Sequence, residues 1–148
     1  MSHSSRVKQL LAELLEDRQL LLSVQAILVA QHQAILSYDQ PALDTLNQQL
    51  MGAYHQLHQH AQQRLDSLSQ LGLPANAQGM GQLLAELPGH LREPVQATWQ
   101  TVLELLEKCR QSNRHNQQLT EMQYDILQDA LPWQEQADYW LYQPEHRR

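Results

Sequence analysis

The chain has no phenylalanine, five glycines, one cysteine and little basic charge, and each shortage removes a class of protein. A lone cysteine, Cys109, excludes an internal disulfide and any cysteine-based zinc finger. Ten Lys and Arg against sixteen Asp and Glu give a net charge of −6 and a pI near 5.7. That balance argues against a nucleic-acid partner, because such domains present a basic stripe that neutralises phosphates and releases counterions. Val and Ile are few and do not cluster in alternating runs, so no sheet is expected. Leu20 to Ala30 is the one strongly apolar run, but Glu13, Glu16 and Asp17 precede it, Gln25 interrupts it, and it is far too short to span a bilayer. Neither membrane insertion nor a signal peptide is expected, and the protein reads as cytoplasmic.

What is present is leucine and glutamine, 28 and 25 residues of 148, which is the composition of an all-α bundle. Val95, Trp99, Val102, Leu106, Cys109, Asn113, Asn116, Leu119, Met122, Ile126 and Ala130 step by three and four, forming one seam along a long helix. Pro94 fits the first turn of this helix and Pro132 is expected to end it. A first helix should begin near Ser4 or Ser5 and run to about Ser37, with Val7, Leu10, Leu14, Asp17, Leu21, Val24, Leu28, Gln31 and Ile35 as its seam and Leu11, Leu15, Leu22 and Leu36 widening it.

Ser37 or Asp39 can cap a second helix, with Pro41 in its first turn and Leu43, Leu46, Leu50, Ala53, Leu57, Ala61, Leu65, Leu68 and Leu71 turned inward. Gly72 and Pro74 should stop it. The connection at residues 37–41 is short enough to make the first two helices antiparallel neighbours. A short helix is expected at Gln82 to Leu87. The resulting expectation is an elongated antiparallel bundle of three long helices over residues 1–132, with a C-terminal tail over 133–148.

Asn113 and Asn116 interrupt the third seam. A buried amide must find a partner, and seam asparagines fix helix register. The polar seam residues of the first helix, Asp17 and Gln31, are candidate partners. The tail holds Trp133, Tyr139, Trp140 and Tyr142, half of the chain's aromatics. They either fold back to cap the bundle or form a docking segment that a partner covers.

Little in the sequence suggests chemistry. His55 and His58 share a helix face, with His60 close behind, but no HExxH is present and Gln56 and Gln59 are poor ligands. Gly72, Gly79 and Gly81 match no phosphate-binding loop. No catalytic residues, metal or cofactor are expected.

The residues Trp99-x-x-Val102-Leu103-x-Leu105-Leu106-x-x-Cys109-x-x-x-Asn113-x-x-Asn116-x-x-Leu119 resemble the third long helix of the flagellar export chaperone FlgN family. Arg64-Leu65-x-x-Leu68-x-x-Leu71-Gly72 resembles the end of that family's second helix, and Ala34-Ile35-Leu36-x-x-Asp39-x-x-Ala42-Leu43 its first turn-around. Leu141-Tyr142 is similar to a Leu-Tyr-Gly segment after its last helix. The resemblance implies a cytoplasmic chaperone that binds hook-filament junction proteins, keeps them from aggregating and delivers them to the type III export gate. With the docking-segment reading of the tail, Trp133, Tyr139, Trp140, Leu141 and Tyr142 are the expected partner-binding residues, and the seam positions make Trp99, Asn113 and Asn116 those that set register. A self-assembling coiled-coil or adaptor protein is the alternative, and a homodimer is compatible with either.

Overall fold

The computed structural model describes the backbone of residues 3–141 and the side chains of residues 5–129. Four helices follow one another: α1 (His3–Leu36), α2 (Gln40–Gln70), α3 (Ala77–Ala85) and α4 (Gly89–Leu141). Among the described residues there is no strand, and the architecture is an all-α bundle. α1 packs against both α2 and α4, while α3 packs against α2 and α4.

The turns follow from local chemistry. Asp39 caps α2, its carboxylate accepting from the Ala42 N–H at 3.1 Å, with Pro41 in the first turn. α2 ends on Gly72 at φ +75°, where the Leu73 N–H reaches back to the Leu68 carbonyl and the Gly72 N–H to that of Ser69. α1 ends on the same arrangement, with Asp39 bonded to Ala34 and Tyr38 to Ile35. Here the left-handed position, φ +56°, is occupied by tyrosine.

Three contacts fix the relation of α1 to α4. Cys109 Sγ, Asn116 Nδ2 and Gln123 Nε2 donate to the carbonyls of Leu21, Leu28 and Ile35. Each pair is 88 residues apart, so the two helices run parallel in heptad register. α2 runs antiparallel to both. Every seam position of α1 from Val7 to Ile35 is buried or half-buried. The lower core joins Val7, Leu14, Leu68, Met80, Leu83, Leu84, Leu87 and Val95; the upper joins Leu21, Val24, Leu28, Leu50, Val102, Leu105 and Cys109. Trp99 packs against both.

Four expectations are corrected. The short helix lies five residues earlier than Gln82, because Asn76 caps it by accepting from the Gly79 N–H. The long helix starts at Gly89 rather than Pro94: Leu91 packs on the lower core and the Arg92 guanidinium donates to the Leu87 carbonyl, securing an extra turn. It continues past Pro132 to Leu141, since an interior proline removes one intrahelical bond, and a helix tolerates this where the freed carbonyl can meet water. Its seam takes Leu105 in place of Leu106, which is exposed, and closes on Gln123 rather than on Met122 and Ile126: Gln123 donates to the Ile35 carbonyl, Met122 lies off that phase, and α1 stops at Leu36 before the level of Ile126.

Gly79 is required by close approach. A Cβ built there would lie 1.7 Å from the Pro74 carbonyl oxygen, which is backbone and cannot rotate away. Gly79→Ala is predicted to cost about 2 kcal/mol, read as a lower midpoint in urea, whereas Gly81→Ala, with open space around it, should change it little.

Candidate functional site

Three features of the bundle carry polar or exposed groups that a core does not need. The first is an amide layer near the top. Asn116, 3 % exposed, donates through Nδ2 to the Leu28 carbonyl and to Gln31 Oε1, both at 2.9 Å, and Gln31 Nε2 donates to Asn47 Oδ1 at 2.8 Å. One chain of amides thus ties α4 to α1 and α1 to α2. Gln31 is the partner of the seam asparagine. Asn113 is half-buried and makes no side-chain hydrogen bond among the described residues.

The second is an ionic group between the two apolar clusters. Asp17, on the α1 seam and also 3 % exposed, receives His60 Nδ1 at 2.6 Å and Arg64 at 2.5 Å from α2. The Arg64 guanidinium lies over the Trp99 ring at 5.3 Å, so the same group reaches α4. Asp17 therefore pairs with α2 and not with the asparagines. His60 is drawn into the bundle while His55 and His58 stay exposed, so the three do not converge on a common point. Among the described residues no group of three His, Cys, Asp or Glu could hold a metal. The sequence did carry the signal for this group: an aspartate at a seam position of α1, and a His/Arg pair four apart on α2. Glu13, beside it, has its carboxyl pushed up from the ordinary range by burial, against the pull of Arg64 and His60. Burial likewise pushes up the Cys109 thiol, which makes it a core residue and a poor nucleophile.

The third feature is the upper part of α4. Ile35 is level with Gln123, so the rest of α4 runs past the α1–α2 turn with no helix beside it among the described residues. Met122 beside Gln123, and Tyr124, Ile126 and Leu127 beyond it, are 57 to 60 % exposed. Trp133, Tyr139, Trp140 and Leu141 belong to the same helix, but their side chains lie outside the described residues, as does Tyr142 altogether.

The model of the FlgN protein family matches residues 1–138. The chain belongs to the FlgN family. No curated protein and no solved structure matches it. FlgN is a family of flagellar export chaperones and not of enzymes, so the site to be sought in this FlgN protein is a binding surface.

Two substitutions test the polar layers. Asn116→Asp keeps the shape but turns an acceptor toward the Leu28 carbonyl and Gln31 Oε1. The prediction is a loss of about 3 kcal/mol at pH 7. A buried carboxylate has a raised pKa, so its penalty is felt where the unfolded chain ionises and the folded one does not. The deficit against the parent should therefore shrink as pH falls toward 4, measured by denaturation of both proteins at each pH. Asp17→Asn, which strips the buried Arg64 of its counter-charge, is predicted to cost about 3 to 5 kcal/mol. A change below 1 kcal/mol in the same measurement would mean that Arg64 finds solvent instead.

Proposed function

We propose that this chain is a cytoplasmic chaperone of flagellar type III export that holds an aggregation-prone helical segment of hook-filament junction proteins on the overhang of α4 and presents it to the export gate. The overhang carries this reading. It is a helix already formed by continuation from the bundle, and its exposed residues pair at helical spacing, Met122 with Ile126 and Tyr124 with Leu127. Such a face receives an amphipathic partner helix by burying apolar area, with no chemistry and no nucleotide required.

Within this proposal the aromatics further along divide the labour. Trp133, Tyr139 and Trp140 extend the cargo surface, and Leu141 with Tyr142, by the family's Leu-Tyr segment, engage the export gate. The part of the bundle where α1, α2 and α4 pack together is the scaffold, and Asn116 and Trp99 hold α4 in register so that the overhang points away from it.

Removal of residues 133–148 tests it, because no contact among the described side chains is cut. The truncated protein is predicted to melt within a few degrees of the parent, to lose its affinity for the gate and to keep only the part of its cargo affinity that Met122, Tyr124, Ile126 and Leu127 supply, read by calorimetric titration, since buried aromatic anchors commonly carry about 2 kcal/mol or more each. Tyr142→Ala alone should weaken gate binding and spare cargo. A truncated protein that aggregates or melts much lower would assign these aromatics to the core and move the cargo surface elsewhere.

A further inference from the structure

Charge is not spread evenly over the chain. Residues 1–114 hold eight Lys and Arg against ten Asp and Glu, while residues 115–145 hold six Asp and Glu and no Lys or Arg. The change falls inside one helix. From Gly89 to Arg114, where α4 packs, four basic residues accompany three acidic ones, and Arg110 holds Glu107 at 2.8 Å. Beyond Arg114 the helix carries acid alone. Glu121, Asp125 and Asp129 are exposed and make no ion pair or hydrogen bond among the described residues.

These three step by four and so form one line on α4, about 12 Å long at 1.5 Å per residue. Like charges at that spacing oppose helix formation. Solubility does not ask for such a line, because interspersed Glu and Lys would keep the segment dissolved and add favourable pairs along the helix.

The line has a fixed place beside the exposed apolar residues. Turning one way round the helix from Gln123, which reaches α1, Ile126 comes at about 60° and Met122 at about 100°, then Asp129, Asp125 and Glu121 at about 120°, 160° and 200°. Met122 and Ile126 therefore have the α1 side on one flank and carboxylates on the other. A partner helix laid on them meets acid along one edge only.

We propose that the overhang takes a basic amphipathic helix, one with an apolar line for Met122 and Ile126 and with Lys or Arg along one flank against Glu121, Asp125 and Asp129. This rests on the reading of the overhang as the cargo surface and adds the chemistry that selects what lies there. Charge singles out the occupant. Nucleic acid and anionic lipid are repelled by the same carboxylates, and the overhang of a second copy brings more acid and no base. A basic flank relieves the repulsion along the line as it binds, speeds encounter by long-range attraction, and fixes how the partner helix is rolled about its axis.

Titration of the full chain with three labelled, end-blocked peptides of about 20 residues tests this. All share one line of leucines at steps of three and four. The first carries lysines along one flank of that line, the second glutamines at the same positions, and the third the same number of lysines opposite the leucines. The first is expected to bind about tenfold tighter than the others at low ionic strength, the advantage shrinking to about twofold in about 0.5 M salt. Glu121→Gln with Asp125→Asn and Asp129→Asn should abolish the advantage while helical circular dichroism is kept. Glu86→Gln with Glu93→Gln and Glu104→Gln, an equal change of charge at exposed positions on the bundle, should preserve it. Equal binding of all three peptides, each weakened by Met122→Ser with Ile126→Ser, overturns the basic flank and leaves the cargo surface standing. Binding that this double substitution does not weaken overturns the proposal together with the cargo surface. No binding of the first peptide, an advantage shared by the third, or one that survives neutralisation of the overhang overturns it as well.

Discussion

Everything above the lower core depends on the common register of α1 and α4. Parallel helices cannot be joined by a tight turn, so α2 and the α3 segment exist to carry the chain back to the starting end. The reward is that two helices far apart in sequence keep one heptad phase over three repeats, with Cys109, Asn116 and Gln123 each reaching the carbonyl one heptad beyond the last. The side chain making that contact lengthens from Cys to Asn to Gln. This change matches a core that is apolar around Cys109 and is replaced by hydrogen bonds from Asn116 upward.

Polar groups inside a bundle add little net stability compared with leucine, so their value is in what they forbid. A seam of leucines alone tolerates sliding by a heptad. Moving α4 by seven residues against α1 would take Asn116 away from Gln31, and sliding α2 would take His60 and Arg64 away from Asp17, leaving buried donors and a buried carboxylate without partners. The two layers sit on different helix pairs: the ionic group locks α1 to α2 and, through Trp99, touches α4; the amides lock α4 to α1 and α1 to α2. Together they fix all three long helices in one alignment, which is a condition for the overhang to begin at a defined place.

The sequence revealed α1 almost completely, because it is the helix with neighbours on two sides and its period of three and four is therefore strict. α4 was harder to read for reasons visible in single residues. Leu103, Leu105 and Leu106 all suit a helical seam, and only the offset from α1 selects Leu105. The apolar period runs on through Met122 and Ile126, but periodicity does not tell where a partner helix stops. Pro94 and Pro132 look like boundaries when each costs only one backbone bond. Gly79 lies before the stretch expected to be helical, yet it is a helical residue held against Pro74. Of the candidate site, the seam asparagine and Gln31 were legible from polarity at apolar positions. The His60–Asp17–Arg64 group was equally present in the pattern but hidden by grouping His60 with His55 and His58 rather than with Arg64.

The overhang has a physical consequence of its own. An isolated helix of that length is marginal in water, since forming the first turn is unfavourable and few contacts follow. Growth from the end of a packed helix needs no nucleation, so the bundle holds the segment helical without burying Met122, Tyr124, Ile126 or Leu127. A partner helix that lies along it therefore orders only itself, and the binding free energy lost to ordering on the chaperone's side is small. The same apolar residues on a free-standing segment would be an aggregation hazard. In a chain of net charge −6, with Glu121, Asp125 and Asp129 beside them on the helix, like-charge repulsion opposes such aggregation and leaves them open for a partner to cover.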